Sequence, residues 1–432
     1  MASERVRRIF EAREKIEGDA LFGHTPLLDS AQPQPLASVQ RVAVLAEAFP
    51  PKIDGVSKTA YLTVQYLQQT GREVLIFAPD SAIRSVGDSE VVALPSVSVP
   101  GADESRAALP VGLLSRRLAA FDPDLILMFS PAFMAISGMV VGRERNIPVI
   151  ACYQTDLPGY AAAYGYPLLS YPVRRWLRYL HNGCHLTLVP TPKVGAELRE
   201  HGYKRLRVWG RGVDIDLYHP VKRDPHMRAH LLNGQPNGSL LCLYVGRLAN
   251  EKCVHLLRQV ADLPGVVLAI VGDGALREDL ETQFAGTPTV FTGYLIGEEL
   301  AQAFASADAF FFPGSQETFG QVVQEAMASG LPSVVTNRGG VSGLVDHGVN
   351  GFICEHTQEA FAEAAQKLRD DLMMQQRMAA AARHEVSHRT WPAVMRLLET
   401  HLGEALELNS RFRRSFGYTT YHYAARYVLP SG

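Results

Sequence analysis

Twice along this chain a run of short apolar segments alternates with stretches of helical spacing, and a polar, turn-rich break separates the two series. From Arg41 the apolar runs are Val42-Ala43-Val44-Leu45, 74–77, Leu125–Phe129, 148–152 and Leu186–Val189, and the first intervening helix carries Ala60, Val64 and Leu67 on one face. Runs that are apolar throughout suit strands buried on both faces, and helical connections between them make those strands parallel. The stretch 212–239 contains His219-Pro220, Asn233-Gly234 and Pro236-Asn237-Gly238, which punctuate the chain as turns. After it Leu240–Val245, Val266–Val271, Ala309–Phe312 and Ser333–Thr336 alternate with helices expected over 253–263, 298–305 and 319–329. At 432 residues the chain is too long for one core. The expected fold is therefore α/β, with two doubly wound, Rossmann-like domains facing across a cleft.

The expected boundaries are an N-terminal extension over 1–40, a first domain over 41–215, a second over 216–395, and a C-terminal helix with a basic aromatic tail over 396–432. The extension reads as a mixed-charge helix followed by a linker with Pro26, Pro33 and Pro35, so the compact part is expected to begin at Arg41. A formal charge of -2, from 42 Lys and Arg against 44 Asp and Glu, offers no field for nucleic acid. The five cysteines are scattered without a CxxC pair and read as reduced thiols. No apolar stretch is long enough to span a bilayer, and the acidic residues Glu4, Glu11, Glu14, Glu17 and Asp19 argue against a transit peptide. A cytoplasmic address is expected.

In doubly wound folds ligands bind beyond the carboxyl ends of the strands, so the loops there carry the chemistry. One such loop reads Val245-Gly246-Arg247-Leu248-Ala249-Asn250-Glu251-Lys252. Arg offers a planar fork, Lys a point charge, and an expected helix start adds free N–H groups; together these suit a diphosphate. Taken alone, two surface cations flanking a loop explain it equally well. The other loop runs from Pro313-Gly314-Ser315-Gln316-Glu317-Thr318-Phe319-Gly320 into a helix bearing Glu325. Its amides can hold phosphate oxygens, and its two carboxylates can accept hydrogen bonds from sugar hydroxyls; singly, each is better explained as a dipole-complementing or solvated residue. Asp122-Pro123-Asp124 and Asp214-Ile215-Asp216 read as turns rather than metal sites, and the fourteen histidines show no HExxH spacing, so no metal or other cofactor is expected.

These elements resemble the retaining glycosyltransferases of family 4, which share the GT-B fold. An EX7E element matches from Glu317 to Glu325, a GRL-xx-EK element from Gly246 to Lys252, and an N-domain glycine loop at Asp54-Gly55-Val56, within a similarity spanning about 41–395. The resemblance implies a nucleotide-sugar donor, with Arg247 and Lys252 on its diphosphate, Glu317 on its sugar and Glu325 on the ribose. Catalytic weight would rest on Glu317, Arg247 and Lys252. Phe319 and Gly320 would present amides, Gly55 and Val56 would approach from the first domain, and Gly246, Gly293 and Thr318 complete the donor side. Gln154 and Asp156 would face the acceptor. One departure stands out: family members commonly carry His within a YHT-like sequence, whereas this chain has Tyr153-Gln154-Thr155-Asp156. Gln cannot hold a proton at neutral pH, so the leaving phosphate is expected to take the acceptor's proton.

For the acceptor, Tyr160, Tyr164, Tyr166, Tyr171, Arg174, Arg175, Trp176, Arg178 and Tyr179 interleave aromatics with cations, and Arg413, Arg414, Phe416, Tyr418, Tyr421 and Tyr423 repeat that character near the C-terminus. Such segments suit an anionic lipid surface, although buried aromatics with snorkelling arginines fit as well. The run from Phe284 to Leu295 and on to Asp308 is similar to sulfoquinovosyltransferases, which make sulfolipid from diacylglycerol. The runs from Tyr153 to Gly165 and from Gln321 to Glu325 look more like bacterial lipid α-mannosyltransferases that use GDP-mannose. The leading expectation is transfer from UDP-sulfoquinovose to diacylglycerol by an enzyme peripheral on the cytoplasmic face of a membrane. GDP-mannose is the alternative donor, and a binding module without transfer activity the alternative class. No cation for a sulfonate is identifiable in the sequence.

Overall fold

The computed structural model describes residues 25–415 apart from 31–34, 51–53, 80–82, 100–101, 109–111 and 164, together with 15–16. Of the helix expected near the N-terminus only Lys15–Ile16 is described, and it is a strand; the side chains Arg413, Arg414, Phe416, Tyr418, Tyr421 and Tyr423 of the tail lie outside the described residues.

The first domain is built on strands β1 (Lys15–Ile16), β2 (Arg41–Ala46), β3 (Glu73–Pro79), β4 (Ser85–Val86), β5 (Ser89–Leu94), β8 (Leu125–Phe129), β9 (Val149–Cys152), β10 (Leu186–Val189) and β11 (Leu206–Val208), with a side ribbon of β6 (Ser96–Val99) and β7 (Ala102–Ala108). Their order is β1-β4-β5-β3-β2-β8-β9-β10-β11, and every pairing except the β4–β5 hairpin is parallel. Alternate residues of β2 feed two cores: Val42, Val44 and Ala46 lie on one face, Ala43 and Leu45 on the other. A strand buried on both sides must be apolar throughout, which is why these runs show no alternation.

The second domain carries β12 (Leu240–Val245), β13 (Val266–Val271), β14 (Thr289–Gly293), β15 (Ala309–Phe312), β16 (Ser333–Thr336) and β17 (Gly351–Cys354) in the order β14-β13-β12-β15-β16-β17, all parallel. Its centre includes fully buried Tyr244, Phe310, Phe311 and Phe312, with Tyr244 stacked on Phe312 at 6.1 Å. Among the described residues no helix is long and apolar enough to cross a membrane.

Three features depart from the sequence reading. Packing starts before Arg41: Leu27 and Val39 are buried in the first-domain core, and Asp29 pairs with Arg396. The terminal helix runs Trp391–Ser415, begins ahead of residue 396, and belongs to the first domain's core through Trp391, Val394, Met395, Leu398, Leu402 and Ala405. That spacing is one helical face. A buried bidentate pair fixes it there, with Arg72 donating to Glu399 at 2.7 and 2.9 Å and Tyr66 Oη adding a third bond at 2.9 Å. The chain thus crosses between the domains twice, and Val213 N–H donates to the Arg389 carbonyl where the crossings meet. Finally, the helix expected over 253–263 is broken into 3-10 turns, Asn250–Lys252 and Val254–Leu257, before a short α-helix at Arg258–Ala261. Cys253 stands between the turns at φ 52°, a left-handed conformation that interrupts the i→i−4 ladder.

Candidate active site

The loop after β12 places Arg247 and Lys252 at the sheet's carboxyl edge. Arg247 donates to Glu251 at 2.6 Å, and Glu251 is itself buried. Lys252 reaches across to the loop after β15, where its ammonium pairs with Glu317 while lying over the Phe312 ring at 5.6 Å. Because Cys253 breaks the helix, only a 3-10 turn starts at this point and the α-helix begins later, at Arg258. The positive charge here comes from side chains.

The second loop leads from Pro313 to Gly320, and its helix spans Gln321–Ala328 instead of opening at Phe319. Gly320 caps that helix at φ 87°, and a Cβ there would lie 2.6 Å from Val341 Cγ1, so the position requires glycine on both counts. Gly339-Gly340 backs the loop: Gly340 N–H donates to the Glu317 carbonyl at 2.6 Å, and a Cβ on Gly340 would collide with the Thr318 carbonyl. Burial alone would raise the Glu317 carboxyl, but Lys252 and, beyond it, Arg211 overcome that and hold it below its usual range. Glu325, eight residues on, behaves oppositely: burial pushes it up, and Lys58 offsets this only in part.

The first domain closes on these loops. Asp54 caps the Gly55–Gln69 helix by accepting Ser57 N–H at 2.8 Å. Gly55 begins that helix, and a side chain there would run into the Arg211 guanidinium; Val56 is buried just inside. Lys58, one turn on, meets Glu325 of the second domain at 3.5 Å. Thr318 Oγ1 donates to the Gln154 carbonyl at 2.7 Å, while Gln154 Oε1 is buried without a partner. Asp156 accepts a hydrogen bond from Tyr153 Oη at 3.2 Å, and the Leu157–Ala163 helix follows it. On that helix the Tyr160 phenol is pushed up by burial and then by Glu317 and Glu251.

The structure therefore gathers Gly55, Gln154, Arg247, Lys252, Glu317, Thr318, Phe319, Gly320 and Glu325 around one cleft. Gly293 stands apart at the end of the edge strand β14, where its carbonyl accepts Gly272 N–H at 2.8 Å. Lys58, Arg211 and Gly339-Gly340 were not singled out from the sequence, and Tyr160 only as part of the aromatic and cationic segment expected to face a lipid. The signals available were the Gly-Arg-Gly triplet at 210–212, the glycine doublet, and the position of Lys58 one turn beyond Gly55. Of the two DxD strings only the second makes a local turn, Asp214 accepting the N–H groups of Asp216 and Leu217; in the first, Asp124 accepts those of Gln40 and Arg41, 84 and 83 residues upstream. Among the described residues no three His, Cys, Asp or Glu side chains gather as metal ligands.

Comparison with known proteins bears on this geometry. Residues 53–217 match the Glycosyltransferase Family 4 model and 231–385 the Glycosyl transferases group 1 model. A GDP-mannose-dependent alpha-mannosyltransferase of Mycobacterium tuberculosis is 37% identical over 82% of this chain and 94% of its own length. The sulfoquinovosyl transferase SQD2 of Arabidopsis thaliana is 33% identical over 89% of this chain and 76% of its own. In fold, the crystal structure of Anabaena Alr3699/HepE in complex with UDP superposes with a TM-score of 0.67 at 18% identity, covering 84% of this chain and 99% of that one. The paired loops, the cleft between two doubly wound sheets and these matches make the chain a member of the group 1, family 4 glycosyltransferases, with the GT-B fold.

Proposed function

We propose that the protein is a retaining hexosyltransferase that moves a sugar from a nucleotide-diphosphate donor to a diacylglycerol-type lipid at a membrane face. One observation carries the donor half: Lys252 and Glu317, 65 residues apart in sequence, pair at the carboxyl ends of neighbouring strands, where doubly wound folds take ligands. In this reading Arg247 and Lys252 hold the diphosphate beside Gly246. Glu317 supports the donor sugar, Thr318, Phe319 and Gly320 line its phosphate side, and Glu325 receives the ribose. Gly55 and Val56 approach from the first domain, and Gly293 stands at the outer rim.

In the transfer, the bond from sugar C1 to the phosphate oxygen breaks and the lipid hydroxyl oxygen bonds to C1 on the same face. The hydroxyl proton passes to the departing phosphate. Gln154 can hydrogen-bond a hydroxyl through its open Oε1 but cannot take that proton, which leaves the phosphate as base. Asp156 orients the acceptor. Charge on the leaving diphosphate is met by Arg247 and Lys252, so turnover requires no metal.

The lipid half is supported by the surface around the Ser170–Gly183 helix. Leu168 is 90% exposed and Tyr171 69%, with Leu169 and Tyr179 also exposed, and Arg174, Arg175 and Arg178 line an adjacent depression. Apolar side chains beside cations suit an anionic membrane surface. For the donor, the mannosyltransferase relative has the higher identity, 37% against 33%, and is matched over more of its own length, 94% against 76%, so we place GDP-mannose first. UDP-sulfoquinovose to diacylglycerol, the leading expectation from sequence alone, stands second on the SQD2 similarity.

The test is turnover of GDP-mannose, UDP-sulfoquinovose and UDP-glucose on diacylglycerol-containing vesicles, with and without EDTA. Lipid-linked product with EDTA present is expected. Transfer only to a soluble sugar defeats the lipid reading, Mg²⁺-reversible loss defeats the metal-free one, and nucleotide binding without donor consumption reduces the protein to a binding module.

A further inference from the structure

Three basic side chains of the cleft have carboxylate partners: Lys252 with Glu317, Arg247 with Glu251, and Lys58 with Glu325. Arg211 differs. The residue is 6% exposed, its Nε is buried without a partner, and among the described residues no hydrogen-bond acceptor reaches its guanidinium. Asp54, Glu317 and Glu325 surround it at longer range.

Its placement is built in. Arg211 lies on the first crossing between the domains, flanked by Gly210 and Gly212. A Cβ on Gly212 would sit 2.5 Å from the backbone of Trp391, so that position is too tight for a side chain, and Gly210 lies in van der Waals contact with Phe319, where a Cβ would be 3.4 Å from Cε2. The Arg211 carbonyl accepts Gln324 Nε2 at 2.9 Å and the Gly212 carbonyl accepts Gln321 Nε2 at 3.0 Å, which anchors the crossing to the Gln321–Ala328 helix. The guanidinium is thereby held between the Phe319 ring, 5.6 Å away, and the start of the Gly55–Gln69 helix, where only a glycine leaves it room. Arg remains charged even when buried, and open donors on a buried charge are costly unless a ligand fills them.

We propose that Arg211 is an anion ligand of the donor site: its guanidinium takes a non-bridging oxygen of the sugar-side phosphate, completing from the first domain the cradle that Arg247 and Lys252 form in the second. The inference rests on the donor-site reading above. Glu317, the carboxylate on the sugar side, feels both Lys252 and Arg211, which favours the sugar-side phosphate as the group whose oxygen accepts from Arg211. A sulfonate on the donor sugar offers the same chemistry from a second source, and the assay separates the two.

The experiment measures binding of UDP, GDP, UMP and GMP to the full-length protein by calorimetry, for the unmodified chain, Arg211→Gln, Arg211→Lys and Gly55→Ala. For whichever base the unmodified protein binds, Arg211→Gln is expected to weaken the diphosphate about 10- to 100-fold and the monophosphate less than about threefold, with Arg211→Lys in between. Gly55→Ala, which displaces the guanidinium without altering it, is expected to show the same preferential loss. Folding of each variant is read separately, from its thermal melt, so only variants that melt like the unmodified chain are compared. Equal weakening of mono- and diphosphate, or none, overturns the proposal. Intact diphosphate binding with turnover lost only on UDP-sulfoquinovose also overturns the phosphate assignment and moves the anion to the sugar. If the unmodified protein binds no nucleotide, the donor-site reading itself fails, and this one with it.

Discussion

Replacing Lys252 by Met separates the two tasks this ammonium carries. In the structure it is the nearest cation to Glu317, both side chains are mostly buried at 15% and 22% exposure, and Arg211 is the next positive charge acting on the same carboxylate. If Lys252 also meets charge developing on the leaving diphosphate, its loss removes an interaction comparable to one oxyanion donor, about 10²–10³-fold in kcat. The stability cost is smaller than the roughly 3–5 kcal/mol of breaking a fully buried pair, because both groups retain some solvent and Arg211 remains; about 1–3 kcal/mol is expected. The pH behaviour shifts as well. A carboxylate held below its ordinary value contributes stability above the unfolded pKa and loses it as pH falls through the folded pKa. Without Lys252, burial dominates Glu317 and raises it, so the acid limb of activity moves to higher pH, while the carboxyl's contribution to stability changes sign and is lost as pH rises rather than as it falls. Steady-state kinetics and thermal melts between pH 4 and 8, on Lys252→Met and on Lys252→Met/Glu317→Gln, check this. The double variant is expected to recover stability but not turnover. A kcat within tenfold of the unmodified enzyme, with an unmoved acid limb, would refute the reasoning.

Two further outcomes concern the first domain. Glu399→Ala leaves Arg72, whose side chain is 1% exposed, without its counter-charge and should cost roughly 3–5 kcal/mol in denaturant unfolding; Arg72→Met/Glu399→Leu should recover much of it, and a single-variant loss under 1 kcal/mol would contradict the role given to the pair. Glu47 is raised by burial from 4.5 to about 7 although its carboxylate accepts the N–H groups of Ala132, Phe133 and Met134. Its folded form holds a proton more tightly than the unfolded chain, so its contribution is complete below about pH 4.5 and disappears as pH rises through 7. Glu47→Gln, which mimics the protonated group, should flatten that slope by about 1–3 kcal/mol in melts at pH 5 and pH 8, and identical slopes in the two proteins would count against it.

Six strands, Leu125–Phe129, Leu186–Val189, Leu240–Val245, Val266–Val271, Ala309–Phe312 and Ser333–Thr336, coincide with apolar runs in the sequence because each is buried on both faces. The short strands between Ser85 and Ala108 carry Ser, Asp, Glu and Arg and offer no such run. The break at Cys253 was hidden for another reason: a left-handed residue that is neither Gly nor Asn gives no local warning. The terminal helix was legible as a helix, but which domain it covers depends on Arg72 and Tyr66, more than 300 residues upstream. The candidate site divides along the same line. Its second-domain half lies in two contiguous motifs, whereas Lys58, Tyr160 and Arg211 reach it from separate elements of the first domain and the crossing segment.

The two carboxylates of the EX7E element are displaced in opposite directions, and that difference follows from where their cations come from. Glu317 is lowered because a second-domain lysine is aligned with it by the β12–β15 pairing, a contact internal to one rigid sheet. Glu325 is raised because it is deeply buried and its partner, Lys58, belongs to the opposite domain. Environments that push paired titratable groups apart assign them different tasks. An ionised Glu317 suits a site where positive charge develops on the departing sugar. In the proposed donor reading, Glu325 exchanges Lys58, 3.5 Å away in the opposite domain, for the hydroxyls of a bound ribose. The Lys58–Glu325 contact joins the two domains, whereas the Lys252–Glu317 pair is internal to the second, so of the two carboxylates only Glu325 has a cation partner that depends on how the domains are placed.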